Sequence, residues 1–83
     1  MDTINSENTP TAEDLRIKIQ QRIKEAPENW LEKVALIAGK SEATIKSYIY
    51  GNRGKKKHIA PVLMALNNVI EEFNTELTKE LSK

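Results

Sequence analysis

Few side chains in this sequence have reactive chemistry to offer, and their spacing argues against it. Gly51-Asn52-Arg53-Gly54-Lys55 has the glycines and the lysine of a phosphate-cradling loop. The glycines stand too close together, no serine or threonine follows the lysine, and no strand precedes it, so a nucleotide-binding P-loop is excluded. Glu71 and Glu72 supply two carboxylates, but adjacent helical residues face different directions and do not make a general acid–base pair. His58 is the single histidine and cysteine is absent. Disulfides, thiolate zinc sites, cysteine nucleophiles and multi-histidine metal sites are therefore ruled out. The expectation is a non-enzyme with no catalytic residue, no metal, no cofactor and no small-molecule substrate.

What remains is charge. The formal net charge of +1 conceals a pattern. Residues 1–39 carry five basic and seven acidic side chains, net −2. Residues 40–58 carry Lys40, Lys46, Arg53, Lys55, Lys56 and Lys57 against Glu42 alone, net +5. Residues 59–83 carry Lys79 and Lys83 against Glu71, Glu72, Glu76 and Glu80, net −2. A short basic segment between acidic flanks suits a directed contact with a polyanion.

The elements that must position these cations read as helices. The chain has 83 residues, room for one domain and one small core. No apolar run approaches the ~18 residues of a membrane span, and the N-terminus lacks the basic start and apolar stretch of a signal peptide. Residues 1–11 are polar, contain Pro10 and read as a disordered N-terminal arm. Leu15, Ile19, Ile23 and Ala26 form one stripe of a helix over 12–26, with Thr11 as N-cap, Asp14 in its first turn and Pro27 as its stop. A second helix runs over 29–38, with Asn29 and Glu32 as a capping box, Trp30 as a packing anchor and Gly39 as its end. A third spans 41–50, capped by Ser41, with Ile45, Tyr48 and Ile49 inward. Residues 52–58 read as a loop. Pro61 then opens a last helix to about Leu81, in which Leu63, Leu66, Ile70, Phe73 and Leu77 recur at 3-4 spacing. The fold expected is all-α: a compact four-helix domain over 12–83 with a long C-terminal helix.

Within it, Leu31 to Asn52 joins two short helices through Gly39-Lys40-Ser41, with the small Ala35 where a close helix crossing needs one. Val34, Ala35, Ala38, Gly39, Ser41, Ile45, Tyr48 and Gly51-Asn52 carry a likeness: the segment resembles the helix-turn-helix of the lambda-repressor-like family of phage and plasmid regulators. Lys40 stands where that family usually has an apolar residue, and Leu36 and Ile37 stand where it usually has polar ones.

The resemblance implies a sequence-specific transcriptional regulator of the repressor or Cro type, acting on double-stranded DNA in a bacterial cytoplasm or phage-infected host, associated with the nucleoid. Its second helix, 41–50, enters the major groove. Glu42, Ala43, Lys46, Ser47 and Tyr50 then face bases. Lys40, Ser41, Asn52, Arg53, Lys55, Lys56 and Lys57 face phosphates. A homodimer on a two-fold symmetric operator is expected, joined along the last helix through Ile70, Phe73, Leu77 and Leu81. The alternatives are a protein-interaction module, or an antitoxin-like regulator holding a partner protein on the C-terminal helix.

Overall fold

The computed structural model describes residues 10–81, and within them four helices joined by short turns make up all the regular structure, without strands. The expected arm falls, for residues 1–9, outside the described residues. Thr11, its last residue, caps α1 (Ala12–Ile23): its hydroxyl accepts from the Asp14 N–H at 3.1 Å, and the Asp14 carboxylate accepts from the Thr11 N–H at 3.1 Å. The helix buries Leu15 and Ile19. It ends three residues before the expected Ala26. Glu25 and Ala26 donate instead to the carbonyls of Arg22 and Ile23, tightening the chain ahead of Pro27, which disfavours helical geometry at Ala26.

α2 (Trp30–Ala38) begins without the expected capping box. Asn29 sits at φ −92° and ψ 26°, not in the extended conformation that aims a side chain at the first free N–H groups, and makes no side-chain cap bond. Trp30 donates to the Pro27 carbonyl at 3.1 Å. Trp30 is half-buried against the core, as an anchor should be. At the other end Gly39 takes φ +69°, a left-handed conformation that costs glycine little. Its N–H donates to Leu36 and the Lys40 N–H donates back to Ala35 at 3.1 Å, the paired bonds of a Schellman turn.

α3 (Glu42–Tyr50) follows directly. Ser41 Oγ accepts from the Thr44 N–H at 3.2 Å and donates to Thr44 Oγ1 at 2.9 Å. Ile45 and Ile49 are buried.

α4 (Lys56–Leu81) is 26 residues long and starts five residues before the expected Pro61. Two features extend it. Ile59, in the added turn, is fully buried, so winding that turn gains a core residue. His58 Nδ1 accepts from the Lys55 N–H at 3.1 Å, and Lys55 in turn accepts at its carbonyl from His58 and Ile59, which closes the helix start. Pro61 thus lies inside the helix, on an exposed position.

The core runs along α4 through Ile59, Val62, Leu66, Val69 and Ile70, and meets Ile19, Val34, Ile45 and Ile49 from the other three helices. α1 and α2 lie chiefly on α4, and α3 touches all three. Ile70 corrects one expectation. It is 2% exposed and belongs to this core, not to a free seam, because α1 still lies alongside α4 at that level, where Arg22 donates to Asn67 at 3.0 Å. Among the described residues no helix is long and apolar enough to cross a membrane.

Candidate nucleic-acid interface

Nine residues of α3 give two and a half turns, and the buried Ile45 and Ile49 fix which side turns outward. Glu42, Ala43, Lys46, Ser47 and Tyr50 follow at helical spacing and line one shallow depression along that outer side, closed at its end by Gly51. The five expected base-facing residues are therefore brought together on one surface. Ser47 is partly committed: its hydroxyl donates to the Ala43 carbonyl at 3.0 Å, which leaves its lone pairs for an outside donor. Ser41, expected at a phosphate, has its hydroxyl engaged in capping α3 through Thr44.

Cations stand at both ends of this surface. Lys40 is exposed in the turn before α3, and Asn52, Arg53 and Lys55 are exposed in the connection after it. Lys56 and Lys57 lie in the first turn of α4, not in the loop where the sequence placed them. Among the described residues the one ion pair is Arg22 to Glu25, at 3.4 Å. The basic segment therefore forms no ion pair among the described residues. Its position also opposes local stability. Lysines at the N-terminus of α4 sit at the positive end of the helix dipole, and that first turn contains no acid. A positive helix end with added lysines is a ready anion site.

The connection is rigidly built. Asn52 takes φ +59° and Gly54 takes φ +84°. A Cβ on Gly54 would stand 2.7 Å from the Tyr48 ring, so only glycine fits there. The His58 ring stacks on Tyr48 at 5.9 Å between centroids, and the His58 Cβ would lie 3.5 Å from the same added Cβ.

Two residues that sequence reading passed over hold the arrangement. Arg16 of α1 donates from Nε to the Tyr48 carbonyl at 2.9 Å, and from Nη2 to the Arg53 and Gly54 carbonyls at 2.9 and 3.0 Å. Gln20, one turn on, donates to the Ile49 carbonyl at 2.9 Å. The last carbonyls of a helix have no partner within it. Here α1 supplies those partners and a positive charge at the negative end of α3. The only signal in the sequence was two long donors four residues apart on the polar side of the first helix.

No family model, curated protein or solved structure matches this chain. The surface offers an exposed helix face with mixed donors and acceptors, flanked by cations that form no ion pair among the described residues. Among the described residues no cluster of metal-ligating side chains exists.

Proposed function

We propose that this chain is a sequence-specific double-stranded DNA-binding regulator of the repressor or Cro type, acting as a homodimer, with α2 and α3 as its helix-turn-helix. α3 lies in the major groove, and its outer face reads base edges. Lys46 donates to guanine acceptors. Ala43 meets a thymine methyl group. Glu42 accepts from a cytosine amino group, and its charge also suits the start of α3. Ser47 accepts through its remaining lone pairs, and Tyr50 reaches the far end. Lys40 on one side, and Asn52, Arg53, Lys55, Lys56 and Lys57 on the other, grip the phosphate backbone and set affinity and register.

The observation that carries this reading is the exposed α3 surface bracketed by cations that form no ion pair among the described residues. Arg16 and Gln20 support it, because they fix the helix end and the cationic connection as one piece.

Selection of bound duplexes from a random pool at moderate salt tests the proposal. A motif with two-fold symmetry is expected. The variant with Lys46 and Lys55–Lys57 changed to glutamate should stay folded and enrich nothing. A folded wild-type chain that enriches no motif overturns the reading and favours the protein-interaction module.

A further inference from the structure

The DNA surface leaves two apolar features unused. The first is a shoulder on α2. Leu36 is 77% exposed and Ile37 50% exposed, and with Val69 and Glu72 of α4 they wall a shallow groove that Lys33 also lines. The second is the tail of α4. Every residue from Asn74 to Leu81 is exposed, so about 12 Å of helix projects past the body at 1.5 Å per residue. The stripe that fills the core as Val62, Leu66 and Val69 continues along this tail as the half-buried Phe73 and then Leu77 and Leu81, 44% and 87% exposed.

The charges beside the two features differ. Glu71, Glu72, Glu76 and Glu80 stand on the last part of α4 against Lys79 alone. Glu76 and Glu80 border Phe73 and Leu77 directly. Carboxylates there oppose the negative end of the helix dipole, so the helix gains nothing from them by itself. A cation from elsewhere would offset that cost. Lys33 stands one turn before Leu36 and Ile37 and forms no ion pair within the described residues.

We infer that the occupant of each shoulder is a second copy of this chain, with the α4 tail of one copy seated on α2 of the other. The inference rests on the homodimer in the reading above and does not depend on the DNA surface. Shoulder and tail are complementary, apolar against apolar, with Lys33 and Glu72 of the groove set against Glu76, Glu80 and Lys79 of the tail. Both lie on one chain, so a two-fold axis makes the contact twice and closes the assembly. Pairing the two α4 helices with each other fits less well. It brings the Glu76 and Glu80 rows of both copies together and leaves Leu36 and Ile37 bare.

The test is molar mass by light scattering, without DNA, on the full chain and two double variants at exposed positions. The wild type is expected at twice the chain mass. L36D/I37D removes the shoulder, L77D/L81D removes the tail, and each alone should run as a monomer with unchanged helical circular dichroism. Mixing the two variants is decisive. The intact tail of the first meets the intact shoulder of the second, so the mixture should regain association, weaker than wild type because one of two contacts is restored. A monomeric wild type, a dimeric L36D/I37D, or a mixture that stays monomeric each overturns the inference. A dimer that enriches no DNA motif would sink the DNA reading alone, and a wild-type monomer that enriches one would sink this inference and the homodimer with it, leaving the DNA surface standing.

Discussion

Arg16 Nε donates to the Tyr48 carbonyl oxygen at 2.9 Å, across 32 residues of sequence, and so ties the first helix to the end of α3. The same guanidinium holds two carbonyls of the cationic connection. Its fork geometry, with several donors in one plane, suits three acceptors at once. Arg16→Ala should lower stability by about 2 kcal/mol in urea unfolding, the scale of lost hydrogen bonds from a charged donor. Arg16→Lys should recover less than half of that, because an ammonium cannot reproduce the fork. Equal stability of the lysine variant and the wild type would show that charge alone matters there.

Gly54 and Gly39 both take positive φ, yet they should respond differently to alanine. Gly39 has open space where a Cβ would go, whereas Gly54 has the Tyr48 ring at 2.7 Å. Gly39→Ala should cost about 1 kcal/mol from backbone strain. Gly54→Ala carries the same strain plus a clash, and should cost about 2 kcal/mol or more. A double variant with Tyr48→Ala would separate the two parts: the second alanine should cost less at position 54 once the ring is gone. Additive losses would refute the steric account.

Pro61 lies on the exposed side of α4, inside the second turn, and has no N–H for the Lys57 carbonyl four residues back. Proline in a helix interior is unfavourable by up to ~3 kcal/mol, and less near the start. Pro61→Ala should therefore raise the thermal midpoint, with a gain of about 1 kcal/mol. A lower midpoint would mean that the rigidity of proline in the unfolded chain outweighs the restored hydrogen bond.

Salt dependence tests the cations. If each of two subunits neutralises about four phosphates, log affinity should fall against log salt with a slope near roughly −7. Lys56→Ala, present in both subunits, should flatten that slope by about 2 and weaken all sequences alike. Lys46→Ala should instead relax preference at one base position, by roughly 1–3 kcal/mol of discrimination. A Lys46→Ala effect uniform over sequences would assign that lysine to the backbone.

The four helices were legible because their inner faces follow helical spacing: Leu15 with Ile19, Ile45 with Ile49, and Leu66 with Ile70 are buried, and Leu31, Val34 and Ala38 all pack on the core. Thr11, Gly39 and Ser41 end or start their helices through local bonds, and local bonds leave residue-type signals. The start of α4 was misplaced because Pro61 looked like a first-turn residue, while the buried Ile59 and the His58 to Lys55 bond carry no comparable mark. The Asn29 cap failed because residue type does not fix ψ. Arg16 and Gln20 were invisible for a different reason. Their partners are backbone carbonyls about thirty residues away, and a carbonyl has no residue identity to pattern against.

α4 begins with Lys56 and ends with Leu81 as one uninterrupted helix. At 1.5 Å per residue it spans about 39 Å, and beyond Pro61 in its second turn no proline or glycine interrupts it as far as Leu81. Its two ends are therefore keyed in angle as well as distance. Inserting a single alanine after Asn74 would turn Leu77 and Leu81 by about 100° relative to Lys56 and Lys57, and inserting a full turn of four would nearly restore the phase while lengthening the rod by about 6 Å. The helix works as a calibrated shaft, in which the setting of one end fixes the setting of the other.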